Sequence, residues 1–144
     1  MSTSTLPVLT VGLRHCERLV VAPSHTVPQV DPSWPGFKEM PPVLATALMI
    51  GFVEQTCVMA LHPFLSAQQR TVGTHVDITH TAPTAVGMEI SAEIELVEIN
   101  GKSLSFKVRC LDNRGLIGAG THQRAIIDLG RFMERLHDRA TRAV

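Results

Sequence analysis

An apolar run near the middle of the chain limits the possible folds more than any other feature. Residues 41–61 read PPVLATALMIGFVEQTCVMAL and contain a single charged side chain, Glu54. Ala, Leu and Met favour a helix interior, Pro42 suits a first-turn position and Pro63 blocks continuation. The run therefore predicts one long helix of roughly 30 Å that is apolar on nearly every side and has to be surrounded by other elements.

Glu54 is the unusual residue of this helix, and it has three interpretations. A membrane span is disfavoured because Glu54 and Gln55 lie near one end, prolines flank both ends and no second span follows. A carboxylate on a partly exposed edge of the helix is the simplest structural interpretation. A carboxylate in a covered site is the functional one, since burial without a partner is costly. The helix alone leaves the last two open.

Composition argues against several classes of function. The 144 residues suffice for one domain, 1–144, with a real core and a loose arm at residues 1–11. Thirteen basic and thirteen acidic side chains give a formal net charge of zero, so there is no electrostatic case for a nucleic-acid partner or an anionic membrane surface. No two histidines have the spacing of metal ligands on a helix, and neither a metal site nor a cofactor is expected.

The cysteines and the N-terminus predict a cytoplasmic protein. Cys16, Cys57 and Cys110 are an odd number of widely spaced thiols, which is typical of reduced cysteines. Cys57 in the apolar helix and Cys110 in a strand pattern are expected in the core. The first residues, MSTST, lack the basic and apolar regions of a signal peptide.

The segment before the helix predicts a strand and an irregular loop. Residues 13–22 form a first strand, and four prolines between positions 23 and 35 allow at most a short helical turn afterwards. In this loop Trp34, Phe37 and Met40 are spaced by three, so one helical turn can place them on one side. This apolar set is either a plug over the end of the core or a lid over a pocket.

Beyond the helix, Thr71 opens a second strand whose end carries a candidate functional residue. Strict alternation puts Val72 and His80 on the face towards the helix and Gly73 on the opposite face. A lone histidine on a core face is more often structural than catalytic. His80, however, comes just before the pattern breaks at residues 81–84, which favours the rim of a pocket.

A hairpin and a final strand follow. Residues 90–96 alternate apolar and polar, and Asn100-Gly101 is a strong turn signal. A two-residue turn there mixes the two faces of the hairpin unless one extra residue at Leu96 or Val97, a β-bulge, sets Ile94 opposite Phe106. Residues 116–128 form the last strand, whose internal glycines indicate close approach of another backbone or a ligand. Residues 129–142 form a terminal helix with a solvated face.

This order of elements predicts an α+β hotdog fold. A curled antiparallel sheet wrapped around one long central helix covers the apolar helix and leaves the other face of the sheet in water. Such a sheet has long free edges, and pairing these edges between two chains would cover them. A homodimer is therefore expected.

Four stretches of the sequence resemble a known family. They are Ala45-Thr46, then Met49-Ile50-Gly51 up to Glu54 and Cys57, then Gly73-Thr74 through Thr79-His80-Thr81-Ala82, and Gly118-Ala119-Gly120-Thr121-His122 up to Arg124-Ala125. They resemble the hotdog-fold acyl-CoA thioesterases, and within them the fluoroacetyl-CoA thioesterase branch. The similarity runs from about residue 12 to about residue 135. It is specific because eight residues separate Thr46 from Glu54 and twenty-six separate Glu54 from His80.

The resemblance implies hydrolysis of a small acyl-CoA thioester by a defined set of residues. It implies that Thr46, Glu54 and His80 are catalytic and that Gly73 lines the acyl site. It makes Arg124 a candidate for contact with the CoA portion of the substrate.

The resemblance also has one departure, in the lid. Phe37 matches the first of two lid phenylalanines of the fluoroacetyl-specific relative, but Met40 stands at the second position. An aromatic edge can sense a small polarised group in ways that a flexible thioether need not. The resemblance therefore extends to the hydrolytic residues and not to the element expected to select a fluorinated acyl group.

Two assignments of the catalytic roles remain open on the sequence. In the first, Glu54 is the nucleophile or base in an apolar setting, His80 orients or protonates, and Thr46 donates a hydrogen bond or positions water. In the second, Thr46 is the nucleophile and His80 activates it. Attack through an acyl-enzyme and direct attack by water fit either. A non-catalytic acyl-CoA-binding domain and a hotdog acyl-CoA hydratase are the alternatives to a thioesterase.

Overall fold

The computed structural model describes residues 5–142, which form one curled antiparallel sheet and a long helix packed against it. The strands are β1 Arg14–Val20, β2 Gln69–Ile78, β3 Glu89–Asn100, β4 Ser103–Asp112 and β5 Gly115–Asp128, and the helices are α1 Pro35–Lys38, α2 Thr46–Leu61 and α3 Leu129–Thr141. The strand order is β1-β3-β4-β5-β2, so β1 and β2 are the edges of the sheet. This is the predicted hotdog arrangement.

The central helix begins four residues later than predicted. Pro42 lies outside it, because Val43 forms an isolated bridge with Ala85 and Leu44 forms one with Thr26. Ala45 remains extended, and Thr46 is the first helical residue. The two bridges tie the chain to its neighbours at this point and thereby fix where the helix starts.

One side of α2 is buried and the other is exposed, so the prediction of a helix surrounded on every side is wrong for the single chain. The buried side packs on the sheet through Met49, Val53, Cys57, Ala60 and Leu61. The opposite side is also mostly apolar and includes Ala47, Gly51, Val58 and Met59. By length and composition alone, the run Thr46–Phe64 could cross a membrane; in this structure one side of it packs on the sheet.

The β3–β4 hairpin confirms the predicted alternation and the predicted bulge. Ile90, Ala92, Ile94 and Leu96 are all buried, and the register shifts at Val97. The turn residues are Gly101-Lys102 rather than Asn100-Gly101, and Gly101 adopts a positive φ of 61°. Ile94 consequently pairs with Val108 and not with Phe106. The error is two positions, so each side chain keeps its predicted face.

A second bulge, in β2, was not predicted, and the side chains before it lie on the opposite faces of the sheet from those predicted. The register between β2 and β5 shifts between Gly73 and His75, which leaves Thr74 as the extra residue. Gly73 therefore faces the helix and Val72 faces away, the opposite of the predicted assignment. His80 still reaches the helix, as predicted.

The glycines of β5 confirm the expected close approach of another backbone. A Cβ atom at Gly118 would collide with the carbonyl oxygen of Thr79, and one at Gly120 with that of Asp77. The end of β2 thus lies directly against β5. Of the predicted N-terminal arm, residues 1–4 lie outside the described residues, and residues 5–10 contain no helix or strand.

Candidate active site

The hydroxyl of Thr46 and the imidazole of His80 form a close pair at the start of α2. Thr46 Oγ1 lies 2.8 Å from His80 Nδ1. Backbone hydrogen bonds from Thr79 to Ala119 and from Thr81 to Ile117 fix the chain on both sides of His80. Burial lowers the pKa of His80 below its ordinary value of 6.5, and the backbone of Ala82 acts in the opposite sense. A largely neutral imidazole next to a hydroxyl can serve as a general base at neutral pH.

The second nitrogen of His80 is unengaged. Its Nε2 atom is buried and has no hydrogen-bond partner among residues 5–142. Buried ring nitrogens normally have a partner. The backbone of Ala82 is the other protein group that acts on this ring.

The carboxylate of Glu54 lies two helical turns further along α2 and forms a salt bridge with Arg124 of β5. Arg124 Nη1 donates to Glu54 Oε1 at 3.0 Å. Arg124 also donates from Nε to Thr71 Oγ1 and from Nη2 to the Thr71 carbonyl, both at 2.9 Å. Arg124 is only 4% exposed, whereas the Glu54 side chain is 39% exposed. Glu54 is thus the partly exposed edge carboxylate of the simpler interpretation, but with a buried cationic partner.

This geometry differs from the predicted role of Arg124. The sequence made it a candidate for contact with CoA, yet all three of its terminal nitrogens already donate to protein groups. The guanidinium is directed into the protein, towards Glu54 and Thr71. Arg124 therefore holds the carboxylate in this structure, and its contact with CoA stays a prediction.

Sequence reasoning missed His122, which lies beside the same salt bridge. His122 is 0% exposed, and its Nε2 lies 3.1 Å from Arg124 Nη1 and 4.0 Å from Glu54 Oε1. Its Nδ1 lies 2.7 Å from the carbonyl oxygen of His75. The period-two pattern of β5 was the available signal, since it places His122 and Arg124 on one face.

Gly73 faces the Glu54 carboxylate from β2. A Cβ atom at this position would collide with Glu54 Oε1 and would also approach Arg124 Nη1 to 3.4 Å. The backbone here does not need a positive φ. The absent side chain of Gly73 leaves the space that this carboxylate occupies.

In the single chain, the site residues form two separate groups. Thr46 pairs with His80, and Glu54 pairs with Arg124. The imidazole beside Glu54 is that of His122, with its Nε2 4.0 Å from Glu54 Oε1. The eight residues from Thr46 to Glu54 correspond to about 12 Å along the helix axis, which is too far for one small acyl group to contact both.

The predicted lid residues lie on and around the short helix α1. The rings of Trp34 and Phe37 form an edge-to-face pair with centroids 5.1 Å apart. Trp34 and Met40 are exposed and Phe37 is partly buried. Whether this set closes over a substrate stays a prediction.

Two open grooves of similar size flank the sheet and helix. One, of about 540 Å³, is lined by residues that include Val58, Leu65 and Thr71, and Thr71 also accepts a hydrogen bond from Arg124. The other, of about 520 Å³, lies among charged side chains of β1, β3 and β4 and shares no residue with either group of site residues. Within residues 5–142, no cluster of His, Cys, Asp and Glu could hold a metal ion.

Comparisons with known proteins place the chain in a family. The family model for the fluoroacetyl-CoA-specific thioesterase matches residues 21–129. The fluoroacetyl-CoA thioesterase of Streptantibioticus cattleyicolor is 38% identical over 129 residues, which cover 90% of this chain and 93% of that enzyme. A crystal structure of fluoroacetyl-CoA thioesterase superposes with a TM-score of 0.89 at 37% identity, covering 92% of this chain and 98% of that one.

A more distant relative shares the fold alone. A thioesterase superfamily member from Thermus thermophilus superposes with a TM-score of 0.77 at 23% identity, covering 95% of this chain and 97% of its own. The match to the family model spans residues 21–129, and the similarity to the curated enzyme covers 90% of the chain. The chain therefore belongs to the fluoroacetyl-CoA-specific thioesterase family, and it is an acyl-CoA thioester hydrolase.

Proposed function

We propose that this enzyme hydrolyses a small acyl-CoA thioester with Thr46, His80 and Glu54 as its catalytic residues. The observation that carries this assignment is the 2.8 Å contact between Thr46 Oγ1 and His80 Nδ1. It favours the assignment in which His80 activates Thr46, because a neutral imidazole already lies within reach of the hydroxyl proton. Glu54, held by Arg124 at the second group, is then the base that activates water.

The reaction proceeds in two displacements. His80 accepts the Thr46 proton while Oγ1 attacks the thioester carbonyl carbon; the C–S bond then breaks, and the CoA thiolate leaves with the proton from His80. Water, deprotonated by Glu54, next attacks the carbonyl carbon of the acyl ester; the bond to Thr46 Oγ1 breaks, Oγ1 takes the proton back from Glu54, and the free acid leaves. At the start of α2 the backbone N–H of Leu48 donates to the Ala45 carbonyl, whereas those of Thr46 and Ala47 have no hydrogen-bond acceptor among residues 5–142 and can stabilise the oxyanion.

We infer that the active unit is a homodimer, which would join the two groups of site residues. Among the described residues, no strand pairs with the outer edge of β2. The exposed apolar side of α2 borders this edge, and Val76 on the inner face of β2 is also exposed. Antiparallel pairing of two β2 edges would set two α2 helices antiparallel and bring the partner's Glu54 towards Thr46 and His80.

The substrate we propose is a small acyl-CoA, without assigning a preference for fluorine. Fluoroacetyl-CoA is the named substrate of the relatives. The thioether of Met40 in the lid cannot reproduce an aromatic edge. The apolar groove lined by Val58 and Leu65 suits the pantetheine arm, and Arg70, which also lines it, suits a phosphate. Free buried thiols at Cys57 and Cys110 support a cytoplasmic enzyme.

Release of CoA thiol by purified variants tests the assignment. Thr46→Ala, His80→Ala and Glu54→Gln should each lower kcat by at least about a hundredfold on acetyl- and fluoroacetyl-CoA, the usual scale for a catalytic acid or base. Glu134→Gln, which removes an exposed carboxylate on α3, is the matched control. Glu54→Gln should also accumulate an acyl ester on Thr46 that mass spectrometry can detect. Full activity of Thr46→Ala would refute the nucleophile assignment.

A further inference from the structure

His122 is a fully buried histidine that the catalytic scheme above does not use. It projects from β5 beneath the Glu54–Arg124 salt bridge and has no exposed surface. Three charged or titratable residues face it, and they are Arg124 from β5, Glu54 from α2 and His75 from β2. A polar ring in such a position is retained only if its hydrogen bonds are satisfied.

The partners of His122 determine which ring nitrogen carries the proton. Nδ1 lies 2.7 Å from the His75 carbonyl oxygen, which can only accept a hydrogen bond, so Nδ1 carries the hydrogen. Nε2 lies 3.1 Å from Arg124 Nη1, which can only donate, so Nε2 presents a lone pair. The ring is therefore neutral. Burial above all lowers its pKa, and Arg124 adds to the lowering.

The lone pair completes the hydrogen bonding of Arg124. Nη1 has two hydrogens, and Glu54 Oε1 and His122 Nε2 accept one each. Thr71 accepts from Nε and Nη2 on the other side of the guanidinium. His122 and Thr71 thus hold the guanidinium plane from two directions, and that plane sets where the Glu54 carboxylate can lie.

We propose that His122 is a positioning residue for Glu54, acting through Arg124: as the neutral tautomer with hydrogen on Nδ1, it fixes the guanidinium that orients the carboxylate. This inference rests on the catalytic role proposed for Glu54. It predicts that loss of the Nε2 acceptor lowers turnover, and that loss of the Nδ1 donor has a smaller effect on turnover.

Two substitutions separate the two nitrogens. In His122→Gln the side-chain oxygen can accept from Arg124 in place of Nε2, while in His122→Asn the shorter amide can replace only the donor to His75. We expect His122→Gln to retain kcat within about threefold and His122→Asn to lose at least about tenfold, with KM changed little, because a small displacement of a catalytic group has effects of this size. His122→Phe, which lacks both groups, should match or exceed the loss in His122→Asn.

Thermal melting and NMR distinguish positioning from a merely structural role. If kcat simply follows the melting temperature across the three variants, the proposal is wrong. The same holds if ¹⁵N shifts of His122 show hydrogen on Nε2 in the folded parent. If Glu54→Gln has full activity, the catalytic role of Glu54 fails instead, and the tautomer measurement still tests the geometry proposed for His122. Inactive Glu54→Gln together with fully active His122→Asn would overturn the positioning role alone.

Discussion

Replacing Gly73 with alanine should disable the carboxylate of Glu54 while leaving the fold intact. The added Cβ would collide with Glu54 Oε1, and the carboxylate is the movable partner because it ends a flexible side chain. To restore ordinary van der Waals contact the oxygen has to move by about 1 Å, and a misplacement of this size costs catalysis roughly a hundredfold. We therefore expect kcat on acetyl-CoA to fall roughly a hundredfold.

Stability should change much less than activity. Gly73 does not adopt a positive φ, so alanine meets no backbone strain, and replacing glycine in a strand recovers about 0.5–1 kcal/mol of conformational entropy. The disturbed salt bridge involves a partly exposed carboxylate, which limits what it contributes. The free energy of unfolding in urea should therefore stay within about 1 kcal/mol of the parent. Gly130→Ala, where a Cβ would make only an ordinary contact 3.5 Å from Asp128, is the matched control.

A double-mutant cycle decides whether the effect passes through Glu54. In Glu54→Gln the carboxylate function is already lost, so adding Gly73→Ala should lower kcat by less than about threefold further. The assay is initial-rate release of CoA thiol at saturating acetyl-CoA. An equal hundredfold loss in both backgrounds would mean that the methyl group obstructs the substrate directly and that our reasoning about Glu54 is wrong.

Three further predictions follow from burial and from the lid. Burial lowers the pKa of both His80 and His122 below 6.5, so below that pH the unfolded chain binds more protons than the folded chain. The free energy of unfolding should therefore be constant above pH 6.5 and fall as the pH drops from 6.5 towards the folded pKa values. Urea titrations at several pH values would measure this. Burial raises the pKa of the Cys57 thiol to about 12 and that of the Cys110 thiol to about 11, so at pH 8 only the exposed Cys16 thiol of β1 should react with a disulfide reagent in the folded protein. Reaction of all three thiols without denaturant would contradict the burial of Cys57 and Cys110. Met40→Phe should raise kcat/KM for fluoroacetyl-CoA relative to acetyl-CoA by roughly three- to tenfold, the scale of one aromatic contact, and an unchanged ratio would remove the lid from substrate selection.

Local patterns predicted the elements well because each element follows from a periodicity within a few residues. The alternation of residues 90–96 gave β3 and its buried face, and the apolar run gave α2. Where these predictions failed, a contact with a distant segment decided the outcome. The bridge between Leu44 and Thr26 delays the start of α2, and the pairing of β2 with β5 creates the bulge beside Gly73.

The partners within the site could not be predicted for the same reason. Glu54 and Arg124 are seventy residues apart, and their contact depends on the register of β5 against β2. The residues next to each of them in the sequence do not indicate that the two side chains are in contact. In the sequence, His122 is one polar residue on a period-two face of the strand. Only the structure shows that its two nitrogens contact a carbonyl oxygen and a guanidinium group.

The start of α2 at Thr46 and the bulge in β2 both place residues as the proposed chemistry requires, which supports a functional reason for these two irregularities. The start of α2 at Thr46 puts this hydroxyl within reach of His80 and beside the N–H groups of Thr46 and Ala47, which have no acceptor among residues 5–142. The bulge in β2 turns a residue without a side chain towards Glu54. Each group of site residues is held by its own contacts, so a second chain could bring the two groups together without refolding either. If so, dilution below the dimer dissociation constant should abolish turnover while both groups keep their geometry.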